Sequence, residues 1–193
     1  MQTLAAVGAI AGFVVFFGGI IAFLVRHKMK INATWRGFAA AHNLKLSDGP
    51  YPSVTGDVGG RTFEMGVGIG RNAAGRAQMN RVVEFGVLVH VHGAVPAGLV
   101  AGKRGRFQAA GNVDLGGDKL WIECPDVAAA TAYFTPARLA GLRQVADLGA
   151  VLLGPKDGQP ARISRVQTGY TVKPAWFEAQ RAAFVGAATA LDA

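Results

Sequence analysis

Cysteine is almost absent: Cys124 is the only one in 193 residues. No intrachain disulfide can form, and the chain suits a reducing compartment. No nucleophile motif surrounds Cys124, so a half-buried structural role is expected for it. Carboxylates are also few, 12 against 20 lysines and arginines. They are scattered, and spacing singles out no catalytic pair. The sequence carries no G-x-S-x-G, no H-E-x-x-H, no S-x-x-K, no kinase set and no G-x-x-x-x-G-K-[ST]. It has no internal repeat of roughly 20 to 50 residues and no long disordered linker. These absences remove hydrolase, zincin, kinase and P-loop chemistry and any repeat architecture. The expectation is a protein that is not an enzyme and holds no cofactor or metal.

One stretch lacks charge altogether. Leu4 to Val25 is 22 apolar residues in a row. As a helix it rises about 33 Å, enough for a hydrocarbon core of about 30 Å. A helix buried in a water-soluble domain would show a polar stripe, and none is present. A cleaved secretory signal needs a basic start, a shorter apolar core and a small-residue cleavage site. Here only Gln2 and Thr3 precede a long core that ends in Phe23, Leu24 and Val25. The sequence therefore predicts a single transmembrane helix in residues 1–30, including its basic flank, followed by one domain over 31–193. Arg26, His27, Lys28 and Lys30 follow the apolar run directly, which puts the short N-terminus outside and the domain in the cytoplasm of an inner-membrane protein.

Ala5, Gly8, Gly12, Val15, Gly19 and Ala22 recur at helical spacing on one face. All are small or fairly small, and transmembrane helices associate where small residues let their backbones approach closely. The expected partner of this face is another transmembrane subunit or a second copy in a homodimer. Phe13, Phe17, Ile20 and Leu24 on the other side suit lipid.

The net charge is +8. Arg26, Lys28 and Lys30 carry three of these charges, leaving about +5 for the domain. Arg71, Arg76, Arg81, Lys103, Arg104 and Arg106 fall in or beside loop-like stretches, with Glu84 the one acid between Arg71 and Arg106. If these loops gather on one edge, they suit anionic lipids or an acidic partner subunit. Aromatic residues do not interleave them, which speaks against nucleic acid.

Two further patterns bear on chemistry. Gly68-Ile-Gly-Arg-Asn-Ala73 spells G-x-G-x-x-A, but the next strand begins near Arg81. That leaves room for barely two turns of the helix a pyrophosphate needs, so a hairpin loop is expected. His90 and His92 share one face of a strand, a pair some metal sites use, with His42 on another element as a third candidate. A membrane-tethered metal-dependent enzyme built on the His90/His92 face is the alternative function.

Secondary structure follows from period and punctuation. A helix is expected over Ile31–Asn43, with Trp35 and Phe38 in the core. Strands are expected over Leu44–Leu46, Ser53–Val58, Arg61–Ile69, Arg81–His92, Leu99–Ala101 and Leu120–Cys124, with a two-residue turn at Gly59-Gly60. Helices are expected after Asp126 and Thr135, then a strand pair over Ala150–Leu153 and Ala161–Val172, then a helix opened by Pro174. Strand runs followed by helices, twice, give an α+β fold with a mainly antiparallel sheet and helices packed on it.

Trp35-Arg-Gly-Phe-Ala39 with Leu44, Tyr51-Pro-Ser-Val-Thr-Gly56, Gly60-Arg-Thr-Phe63 and Thr135-Pro-Ala-Arg-Leu139 give the chain a family likeness. It resembles a loose class of bacterial single-pass membrane proteins with an uncharacterised cytosolic α+β domain. The resemblance implies that fold and carries over no site residues. The expected function is a non-catalytic, membrane-anchored accessory or scaffold subunit that docks on a larger bacterial membrane complex, photosynthetic or respiratory.

Overall fold

Asn43 sets the first reversal of the chain. In the computed structural model α1 (Gln2–Ala41) is one unbroken helix, about 60 Å long at 1.5 Å per residue. Asn43 then takes the left-handed conformation, φ 52°. The Leu44 amide donates to the Ala39 carbonyl over 2.8 Å and the Asn43 amide to that of Ala40 over 3.4 Å, which closes the helix end. The chain turns back into β1 (Lys45–Ser47). The helix expected over Ile31–Asn43 thus continues the apolar segment rather than bending away from it. The structure describes residues 2–47, 49, 51–70, 82–105, 111–115, 120–169 and 173–193, with the side chains of 2–16, 69, 70 and 82 outside the description.

A meander follows: β2 (Ser53–Val58), β3 (Arg61–Gly70) and β4 (Val82–His90). Gly59 and Gly60 join β2 to β3 with φ of 62° and 79°, the left-handed pair that a two-residue hairpin requires. The Asp57 carboxylate accepts from the Gly60 amide. Then come β5 (Val100–Lys103), β6 (Leu120–Glu123), α2 (Val127–Tyr133), α3 (Pro136–Asp147), β7 (Val151–Leu153), β8 (Arg162–Thr168) and α4 (Pro174–Asp192). Asp126 caps α2 by accepting from Ala129, and Thr135 caps α3 by accepting from Arg138, with Pro136 in the first turn. Both are the capping residues read from sequence.

The eight strands form one sheet in the order β1-β2-β3-β4-β8-β7-β5-β6, and every strand pair is antiparallel. With the four helices among the described residues this is an α+β fold. Alternation along the strands sends Val54, Phe63, Met65, Val67, Phe85, Val87, Val89, Leu152 and Ile163 to one face, all buried. The last turns of α1, together with α3 and α4, cover that face. Trp35 is fully buried and packs against Phe177 of α4, its ring tilted by 51° with centroids 4.7 Å apart. Phe38 meets the same ring edge-on at 5.6 Å. Along α4 the buried positions are Phe177, Gln180, Phe184, Ala187, Ala188 and Leu191, while Arg181 is half-buried.

The expected transmembrane helix is not borne out at this level. Among the described residues no helix is long and apolar enough to cross a membrane. Of the stretch Leu4–Val25, the first 13 residues lie where side chains are outside the description.

The Trp35 indole N–H finds no hydrogen-bond partner among the described residues, so this residue serves the core by shape and apolar area alone. We expect Trp35→Phe, which also removes the orphan donor, to cost under about 2 kcal/mol, and Trp35→Ala to cost about 3–5 kcal/mol. Denaturant unfolding of the two variants checks the difference; equal losses would show that the N–H is satisfied.

Candidate functional site

The ends of the sheet carry different charge. β3 ends at Gly70 and β4 starts at Val82, while Thr168 of β8 pairs with Glu84, so these three strands finish together. The opposite end holds the Gly59-Gly60 turn and the connection between β7 and β8. α1 crosses the sheet between these ends. Trp35 packs 6.4 Å from Phe85, whereas Phe38, one turn later, packs 6.4 Å from Phe63. Phe85 pairs with Val67 and Phe63 with Val89, so the helix advances toward the Gly59-Gly60 end. Traced backward, Lys30, Lys28, Arg26 and the apolar residues leave at the Gly70/Val82 end, and residues 17–30 are exposed throughout.

Lys173, which precedes α4, lies at this end as well and is exposed. Arg71, Arg76 and Arg81 belong to the segment between Gly70 and Val82, outside the described residues, as does Arg106. Lys103 and Arg104 are exposed and point the chain the same way, but they stand back. Gly102 pairs with Val151, Val151 with Ser164, Ser164 with Leu88, and Leu88 with Glu64. Lys103 is therefore level with Met65, five residues short of Gly70, about 17 Å along the strand. The far end is acidic. Asp57, Glu123, Asp126, Asp157 and Asp192 lie there beside Arg61, Arg138, Lys156 and Arg162, an excess of one acid.

Gly19 and Ala22 of the small-residue face are exposed, and a Cβ built on Gly19 would meet nothing within 4 Å among the described residues. The side chains of Ala5, Gly8, Gly12 and Val15 lie outside the described residues. Followed along the unbroken helix past Arg26 and Lys30, the same side reaches Ala33, Gly37 and Ala41. These three are exposed and line a groove of about 470 Å³ shared with Pro174 and Glu178 of α4. Sequence reasoning ended the stripe at Ala22 because it placed a boundary at residue 30.

The histidines are separate. His90 ends β4 opposite Arg162, and His92 is exposed. The amide of His92 donates to Asp192 over 2.9 Å and that of Gly93 over 2.6 Å, both to Oδ1. His42 sits by α4, where its Nε2 donates to Glu178 at 2.7 Å. Among the described residues no group of three His, Cys, Asp or Glu side chains is placed to hold a metal ion. Cys124 is buried; its amide and carbonyl bond the Asn112 side chain.

Two polar constellations escaped the sequence reading. Arg61 donates to Asp192 Oδ2, so this carboxylate ties the end of α4 to β3 and to the segment after β4. Beside it Tyr133 donates to the Leu191 carbonyl while Arg138 lies 4.6 Å over its ring. Burial pushes the Tyr133 hydroxyl up to about 12, against the lowering effect of Arg138. The second constellation is His42, Glu178 and Arg181, whose Nε donates to Glu178 over 3.2 Å. No local signal in sequence could join residues 136 positions apart.

Comparison of the chain with protein-family models, with curated proteins and with solved structures finds no match.

Burial alone would raise the Glu178 carboxyl, but the hydrogen bonds from His42 and Arg181, aided by their charges, hold it below its ordinary 4.5. A lowered carboxyl contributes stability above the unfolded-state value and loses it as pH falls through the folded one. Thermal unfolding from pH 6 to 3 should therefore show a steeper loss of stability in the native chain than in Glu178→Gln. Identical pH profiles would remove Glu178 from the account.

Proposed function

We propose that the chain is a non-catalytic, membrane-anchored accessory or scaffold subunit of a larger bacterial membrane complex, photosynthetic or respiratory. In this reading the segment Leu4–Val25 spans the inner membrane with the N-terminus outside, and the α+β domain stands in the cytoplasm on the continuation of the same helix. The observation that carries it is the exposure of α1. Ile21 is 60% exposed, Phe23 69% and Leu24 57%, an apolar surface that none of the described residues covers and that lipid would cover. Arg26, Lys28 and Lys30 follow at the depth of the headgroups.

The charge division of the domain supports the same orientation. α1 departs from the Gly70/Val82 end, where Lys173 lies and where the segment bearing Arg71, Arg76 and Arg81 starts and finishes. Lys103 and Arg104 are directed that way from further back, and Arg106 follows them in the chain. The acidic far end points from the membrane. Anionic lipids favour such an arrangement, since each juxtamembrane base near the surface adds about 1 kcal/mol. The small face from Ala5, Gly8, Gly12, Val15, Gly19 and Ala22 to Ala33, Gly37 and Ala41 supports docking on another transmembrane subunit. A homodimer would bring Arg26 and Lys30 of two copies together, so this face fits a different subunit better.

Native membranes washed in alkaline carbonate and then extracted in mild detergent test this. The full chain should stay in the washed membrane and afterwards comigrate with other membrane subunits at fixed stoichiometry, and a chain lacking residues 1–25 should be released by the wash. Release of the full chain would end the anchor; migration alone would end the accessory role.

A further inference from the structure

We propose that the bare outer face of the sheet is a docking site for a basic helix of a partner protein, seated in a trough floored by Gly66, Gly68 and Gly86. The proposal rests on the accessory-subunit reading and names a surface and a partner chemistry for it. The strands send their apolar side chains to the helices on one face, and among the described residues the other face carries no helix. There Gly66 pairs directly with Gly86, and Gly86 with Val166. Gly68 pairs with Glu84, and Glu64 with Leu88. Together with Ser53 and Ser164 these residues line a trough of about 370 Å³.

Glycine in the middle of a strand weakens a sheet and often marks a place where another chain comes close. Gly66 has an internal reason to be glycine, because a Cβ there would lie 2.6 Å from that of Ser53. The other two have none. A Cβ on Gly68 would meet nothing within 4 Å among the described residues, and one on Gly86 would only touch the Arg165 carbonyl at 3.9 Å. Neither has a positive φ. Among the described residues, nothing that the chain places there makes use of their flatness.

The charge of the trough names the partner. On a chain of net charge +8, the ionisable residues lining the trough are Glu64, Glu84 and Arg165; the Arg165 guanidinium turns to Gln180 of α4, and neither carboxylate has an ion-pair partner among the described residues. The paired register puts their Cα atoms about 14 Å apart along the strands. On one face of a helix, lysines seven residues apart stand about 10.5 Å from each other and lysines eleven apart about 16.5 Å, so their flexible side chains bracket that span. The backbone bonds of β3, β4 and β8 are taken up within the sheet, so an occupant of the face binds by side chains, as a helix does, rather than by adding a strand. Val166, 62% exposed, and the half-buried Leu88 offer it an apolar contact between the two carboxylates.

The probe is a labelled alanine-rich helix with a lysine about every seven residues, and its glutamate counterpart. Each is titrated by fluorescence anisotropy onto the full chain in nanodiscs of uncharged lipid, with empty nanodiscs subtracted. The lysine helix should bind and the glutamate helix should not. The double variant Glu64→Gln/Glu84→Gln should weaken binding roughly five-fold, the size expected of two part-exposed charge pairs. Gly68→Leu, which fills the trough without touching its charge, should weaken it comparably. Equal affinities for the native chain and both variants would overturn the proposal, as would self-association abolished by Gly68→Leu in place of peptide binding. Release of the chain by carbonate together with trough-dependent peptide binding would remove the anchor and leave the trough standing.

Discussion

The seating of Trp35 and Phe38 between the sheet and α4 is the contact on which the rest depends. These two rings belong to the same unbroken helix as the apolar run, so one rigid element serves both the domain core and the surface that the domain leaves uncovered. Because they pack successively on Phe85 and Phe63, the direction of α1 across the sheet is fixed. With it is fixed which end of the domain lies beside Arg26, Lys28 and Lys30. A helix that merely abutted the domain through a loop would give no such relation. The apolar surface given up by a truncated Trp35 would cost several kcal/mol, a large share of the stability of a domain of this size.

The two faces of the sheet divide the work. The inner face holds nearly all the large buried side chains and is sealed at the far end by Asp192, which accepts from Arg61 and from two backbone amides. Hydrogen bonds to a charged group are among the stronger ones, about 1.5–3 kcal/mol each, and here they hold the last turn of α4 against strands far away in sequence. The outer face buries little, carries mid-strand glycines that loosen it, and presents two carboxylates on an otherwise basic chain. Stability is concentrated on one side of a single layer, and the other side is free for recognition.

Much of this was legible in the sequence because the signals were local. The alternation of Phe63, Met65 and Val67 with Glu64, Gly66 and Gly68 told inner from outer face, and Gly59-Gly60 told the turn. Asp126, Thr135-Pro136 and Pro174 marked helix starts that the structure reproduces. What could not be read was long-range. Nothing near Gly66 says that Gly86 lies opposite it, and nothing near Arg61 announces Asp192. The insertion of β8 beside β4, ahead of β7, β5 and β6, decides that Val166 borders the trough. It also sets Lys103 and Arg104 back from the end of β3. The boundary drawn at residue 30 was a change of composition, and composition is not conformation: a helix propagates through such a change wherever the next turns find a core to pack on.

The most direct test of the account is the sidedness of the chain in intact cells. In a Cys124→Ser background, single cysteines replace Thr3 and Lys156, at the N-terminus and at the exposed turn of the far end, and are treated with a membrane-impermeant maleimide. The account predicts labelling of Thr3→Cys in intact cells and of Lys156→Cys only after the membrane is opened. Labelling of Lys156→Cys in intact cells, or protection of Thr3→Cys until lysis, would contradict it.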